Sequence, residues 1–125
     1  MAQKLSSNME DYLKAICELE MERGAARVKD IAERLNITMP SVSAALKNLE
    51  KHNLVNHPRY DLVGLSPKGK QIAQEIIQRH DVLKEFLSDV LGVDETIAER
   101  DACHIEHHVS PETVQRLAQF MTEES

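Results

Sequence analysis

Between residues 28 and 51 the apolar positions recur at helical spacing twice, on either side of a short break, and no other pattern in the chain constrains its fold as much. Val28, Ile31, Ala32 and Leu35 form one stripe, since positions three and four apart share a helix face. Asn36-Ile37-Thr38 makes the turn. A further helix starts at Pro40, with Thr38 or Met39 as its cap and the proline in the first turn, where its missing N–H costs nothing. Val42, Ala45, Leu46 and Leu49 face inward, so Ser41, Ser43, Ala44, Lys47 and Asn48 face outward. Two short helices joined by a tight turn, with small polar residues at the outer start of the second, form a helix-turn-helix.

The flanking segments extend this pattern. Residues 9–21 carry Met9, Tyr12, Leu13, Ile16, Cys17 and Leu19 near helical spacing, with Ser6, Ser7 or Asn8 as a cap and Arg23-Gly24 as the end. Residues 54–57 and 62–65 read as two short strands joined by Pro58-Arg59-Tyr60-Asp61, a hairpin placed where a wing belongs. Ser66-Pro67 caps a long helix running to about Leu91, closed by Gly92, and two more helices are expected over 96–108 and 111–122. The expected fold is mainly α. Residues 1–70 form a winged helix-turn-helix DNA-binding domain with a small β-hairpin wing, and residues 71–125 a helical metal-binding and dimerisation domain.

The chain of 125 residues has a net charge of −6, but the charge is unevenly spread. From Ala25 to His80 nine Lys/Arg face five Asp/Glu, a balance of +4; the remainder holds six against sixteen, or −10. A basic part suits DNA and an acidic part suits cations. No apolar run reaches the roughly 18 residues of a membrane span, and the N-terminus has no apolar segment of signal-peptide length. Cys17 and Cys103 are too few for a disulfide framework. A cytoplasmic protein without membrane partners is expected.

In such a module the start of the recognition helix enters the major groove of double-stranded DNA. Thr38, Ser41 and Ser43 can hydrogen-bond to base edges or phosphates, and Pro40 and Ala44 can touch thymine methyls. Lys47, Lys51 and Arg59 suit phosphates. No outward Arg, Gln or Asn stands in the first turn, so DNA shape contributes to recognition. One module offers little surface, which calls for a homodimer on a two-fold related operator, with the amphipathic helices after Ser66 as its interface. The competing reading of the module is a scaffold for protein contacts.

A second signal is Cys103-His104-Ile105-Glu106-His107-His108. On a helix Cys103, Glu106 and His107 converge, offering S, O and N donors that suit a divalent transition metal of intermediate softness. His80, in the otherwise apolar register of Ile72, Ile76 and Leu83, wants a polar partner and is a fourth candidate. Asp11, near the start of the first helix, is a fifth. Against these stand a core or interface histidine at 80 and a helix-dipole carboxylate at 11. His104 and His108 read as surface residues, and Cys17 reads as core.

Met9-Glu10-Asp11-Tyr12-Leu13, Val28-Lys29-Asp30-Ile31-Ala32-Glu33-Arg34-Leu35, Pro40-Ser41-Val42-Ser43, Leu65-Ser66-Pro67-Lys68-Gly69 and the Cys103 to His108 run resemble, in order and spacing, the DtxR/MntR family of iron- or manganese-dependent transcriptional repressors. The resemblance spans nearly the whole chain. It implies Fe(II) or Mn(II) as corepressor for genes of metal homeostasis, in a short form without the SH3-like third domain. It also implies Asp11, His80, Cys103, Glu106 and His107 as ligands, with Asp11 matching the manganese type and Cys103 the iron type. The chain departs from the pattern at several positions. Lys14 stands where the manganese type has a second N-terminal carboxylate, and Lys84 and Glu99 stand where the iron type has an ancillary carboxylate and histidine. Ala44 replaces a recognition-helix glutamine.

The mechanism expected from this resemblance is a switch in which one ion, bridging Asp11 to the C-terminal donors, sets the spacing of two recognition helices. A winged-helix regulator governed by an organic ligand or by Cys103 oxidation is the alternative. An enzyme with a small-molecule substrate is not expected, because no nucleophile–base pair or phosphate-binding glycine loop is present.

Overall fold

The computed structural model describes residues 5–56 and 61–124, without the side chain of residue 124. Arg59 and most of the expected wing turn lie outside the described residues. The chain divides into two compact units, Met1–Gln74 and Glu75–Ser125.

In the first unit, α1 spans Ser7–Arg23; the Ser6 hydroxyl accepts from the Met9 N–H at 3.2 Å, and Gly24 closes the helix at φ +78°. Its Leu13, Ala15, Ile16, Cys17 and Leu19 are buried. Helix α2, Val28–Leu35, ends at Asn36 in the left-handed region, where asparagine is tolerated. Helix α3, Met39–Lys51, starts from the Thr38 cap and buries Val42, Leu46 and Leu49. Arg34 reaches Glu22 at 2.5 Å and Glu18 at 3.5 Å, and Arg23 reaches Asp30 at 3.1 Å, tying α1 to α2 at the surface. Such exposed pairs contribute at most about 1 kcal/mol each. The apolar core carries the unit.

The wing differs from the expectation. Among the described residues, 54–56 carry one antiparallel bridge, Val55 to Leu65, with the Asn56 N–H donating to the Gly64 carbonyl at 2.7 Å. The strand pairing runs instead between β1, Ala26–Arg27, and β2, Leu62–Val63, with Ala26 opposite Val63. Just past β1 the Val28 N–H, which α2 leaves unpaired at its first turn, donates to the Asp61 carbonyl at 3.0 Å. The connection before α2 therefore claims β2 as its partner.

Helix α4, Pro67–Glu85, is seated on the end of this wing. The Ser66 hydroxyl donates to the Asn53 carbonyl at 2.7 Å and accepts from the Gly69 N–H at 3.0 Å. Gly69 is required by space: a Cβ there would lie 2.0 Å from the Leu54 carbonyl oxygen.

In the second unit the long helix does not stay α to residue 91. A π-helical turn occupies Phe86–Val90, with the Leu91 N–H bonded to the Phe86 carbonyl at 3.1 Å. Ser88 donates back to the Lys84 carbonyl at 3.0 Å, competing with the α pattern there. Helix α5, Glu95–Ile105, starts on the Asp94 cap and stops three residues short of the expected His108. Pro111 cannot continue a helix, because its ring clashes with the carbonyl four residues back. The chain turns over 106–108 and restarts as α6, Pro111–Glu124. Phe86 and Phe120 meet edge to face at 6.3 Å. No helix among the described residues is long and apolar enough to cross a membrane.

Candidate metal centre and nucleic-acid interface

In the second unit the buried stripe of α4, running through Ile76, His80 and Leu83, carries one polar side chain, and α5 presents small buried residues, Ala98 and Ala102. Small residues permit close approach, so the polar groups between these helices are drawn together. His80 Nδ1 lies 2.6 Å from Glu106 Oε1 and 3.8 Å from Cys103 Sγ. One ligating atom from each of His80, Cys103 and Glu106 lies within 4.8 Å of the others. The second Glu106 oxygen, Oε2, lies 3.7 Å from His107 Nε2.

Glu106 is the centre of this cluster and is fully buried, at 0% exposure. A carboxylate removed from water is costly unless positive charge compensates it. Imidazoles on both of its oxygens and a thiol beside one imidazole form a donor set that fits a transition-metal cation. The residues present therefore suit a metal.

The turn at 106–108 corrects one detail. Glu106 is the cap residue of α5 and His107 lies past its end, so the two do not continue the helix from Cys103. Glu106 keeps helical dihedrals, φ −56° and ψ −26°, and so still follows Cys103 on the same face. Asp11 lies near the start of α1, in the other unit. His104 and His108 are exposed. Cys17 is 3% exposed, and burial, aided by Glu20, pushes its thiol up.

Reading the residues alone missed the partner of the other His80 nitrogen. Nε2 lies 2.9 Å from Glu99 Oε2, and that same oxygen lies 3.3 Å from Lys84 Nζ; Glu95 Oε1 lies 3.7 Å from the ammonium. Partial burial pushes the Glu99 carboxyl up, but the His80 hydrogen bond and the charges of His80 and Lys84 outweigh it and hold the carboxyl low. The Glu99 hydrogen bond likewise holds the Lys84 ammonium high. A usable signal existed: Glu99 stands four residues before Cys103, on the same helix face.

Along α3 the outward set is exposed as expected: Pro40, Ser41, Ser43 and Ala44 at its start, then Lys47 and, at its end, Lys51. Thr38 spends its oxygen on the helix, accepting from the Ser41 N–H at 3.3 Å, and its hydroxyl pairs with that of Ser41 at 2.8 Å. Two exposed apolar residues, Ile37 and Met39, flank that cap and were not expected on this surface.

Residues 4–63 match the family described as the iron dependent repressor, N-terminal DNA binding domain, and residues 66–123 its metal binding and dimerisation domain. The chain is 37% identical to the HTH-type transcriptional regulator MntR of Shouchella clausii over 114 residues, covering 91% of this chain and 79% of the relative. A counterpart in Geobacillus kaustophilus is 38% identical over the same length, covering 91% and 80%. Among solved structures, that of the manganese regulator SloR is similar with a TM-score of 0.81 at 31% identity, covering 94% of this chain and 55% of that one. The IdeR structure from T. acidophilum gives 0.82 at 26%, covering 97% and 56%. The chain thus spans about four fifths of these curated relatives and a little over half of these solved chains. These matches support control by metal and give none to the organic-ligand or thiol-oxidation alternative. A DNA-binding domain followed by a metal-binding and dimerisation domain places the chain in the iron-dependent repressor family, the DtxR/MntR-type metal-dependent transcriptional repressors, and it is a regulator of transcription and not an enzyme.

Proposed function

We propose that the chain binds operator DNA as a homodimer when Fe(II) or Mn(II) occupies a site built on His80, Cys103, Glu106 and His107, and that it thereby represses genes of metal homeostasis in the cytoplasm. The observation that carries this reading is the buried Glu106 carboxylate with a histidine at each oxygen and Cys103 beside His80. A bound ion supplies the positive charge that this carboxylate needs and a reason for the donors to stay ordered. Asp11 joins the ligand set on sequence grounds, as the α1 carboxylate at the position the manganese type uses. Bound there, the ion would bias the chain toward one arrangement of its reading helices. Shifting the competent population from about 1% to 99% takes roughly 5.5 kcal/mol of differential affinity, within reach of a site with several donors.

On DNA, Thr38, Pro40, Ser41, Ser43 and Ala44 would face the groove, with Lys47, Lys51 and Arg59 on phosphates. Large exposed apolar side chains of the second unit, Val90, Leu91, Ile97, Ile105 and Phe120, supply area for a second copy. The test is selection from a random duplex pool, under anaerobic conditions, with Mn(II), with Fe(II) and with chelator. Enrichment of a two-fold related sequence only with metal is expected. Equal enrichment in all three would overturn the switch.

A further inference from the structure

The metal candidates account for one face of His80 and leave the other unexplained. Its Nδ1 faces Glu106 and Cys103, whereas Nε2 is held by Glu99, whose same oxygen is held by Lys84. Neither Lys84 nor Glu99 touches Glu106 in these contacts, and Lys84 offers no lone pair to a cation while protonated. The chain of contacts runs from imidazole to carboxylate to ammonium, with the other Glu99 oxygen, Oε1, 3.9 Å from the Cys103 thiol, and ends at Lys84.

We infer that Lys84 and Glu99 are positioning residues for the metal site: the ammonium anchors the Glu99 carboxylate, which accepts the Nε2–H of His80 and so presents Nδ1 as the ligating nitrogen. This rests on the metal-binding reading above. An imidazole can ligate through either nitrogen, and the hydrogen bond made by the other decides which. With Glu99 in place, the nitrogen aimed away from Cys103 is committed as a donor. The ring is then fixed in the orientation that keeps Nδ1 beside the thiol and the buried carboxylate. Lys84 acts one step further out. Glu99 is about half exposed, with 48% of its side chain accessible, and without a fixed cation it would swing into water. The ammonium between Glu95 and Glu99 restrains it. An ion-pair anchor of this kind matters for geometry far more than for fold stability, since exposed pairs contribute little.

The experiment uses the full-length protein with Co(II) and Zn(II) as probes. Long-range proton–nitrogen NMR on the Zn(II)-loaded wild type reads the His80 tautomer directly, so it needs no variant that could fail to fold. A proton on Nε2 with metal on Nδ1 is expected; metal on Nε2 overturns the inference. Chelator competition then reads Co(II) affinity in variants. Glu99→Leu should weaken it about 10–100-fold and change the thiolate-to-cobalt absorption of Cys103. Lys84→Met should shift both readouts the same way, and Lys84→Arg should restore them. Affinity for Glu99→Leu within about twofold of wild type, with an unchanged spectrum, overturns the inference and leaves the proposed function standing. If the wild type itself binds neither ion, both fall together.

Discussion

The two units hold themselves together in different ways. Of the buried apolar residues among those described, sixteen lie before residue 75 and five after it, Ile76, Leu83, Ala98, Ala102 and Val114. Among the described residues the two buried polar side chains, His80 and Glu106, both lie in the second unit. The first unit is thus an ordinary apolar core under a set of surface ion pairs. The second places a carboxylate and an imidazole where a core would put leucines. The difference teaches where control can enter. A unit stabilised by burial alone stays folded whatever the metal supply, whereas one with a charged centre responds to what compensates that charge.

The largest expected effect sharpens the contrast through the cores themselves. Leu49→Ala, at 0% exposure in the first unit, should cost about 2–5 kcal/mol in chemical denaturation, toward the upper part of that range. Leu83→Ala, at 5% exposure in the second, should fall toward the lower part. A reversed order would break the comparison.

Metal comes next. An ion at a hundred times its dissociation constant stabilises whatever binds it by about 2.7 kcal/mol. Hydrogen exchange with and without Mn(II) should show that protection concentrated in α5 and around His80, with the α2 and α3 cores little changed. Uniform protection along the chain would mean that the ion is not sensed by the charged centre.

Ser6→Ala removes the cap of α1 and should cost about 1 kcal/mol, with or without metal, because its partner is only the Met9 backbone. The smallest effect is a pH slope. The Arg34 hydrogen bond and charge hold the Glu22 carboxyl below its ordinary 4.5. Its contribution is then present above that value and lost as the pH falls through the lower, folded one. Glu22→Gln should lower the neutral plateau slightly and flatten the acid side of the stability profile, so that variant and wild type converge at low pH.

How legible the chain was depends on the range of the signal. Helices α1, α2 and α3 were readable almost to the residue because their stops and starts are local: Ser6, Gly24, Asn36, Thr38. Strand β1 was not, since Ala26-Arg27 has no alternating pattern and owes its state to Leu62 and Val63 far along the chain. The π-helical turn at Phe86–Val90 was hidden too, because an apolar periodicity near 3.6 continues through it. In the site, the run from Cys103 to His107 announced its chemistry through spacing. Glu99 showed in the sequence only as a departure from the family pattern, and its role as the partner of His80, nineteen residues away, came only with the fold.

The hydroxyl pair at the head of α3 has an evolutionary consequence. Because Thr38 and Ser41 are engaged with each other and with the helix end, whereas Ser43, Ala44 and Lys47 stand in solvent, the vocabulary of the reading surface can be rewritten one letter at a time. A lineage could acquire new target sequences through those outward positions without renegotiating how the helix begins.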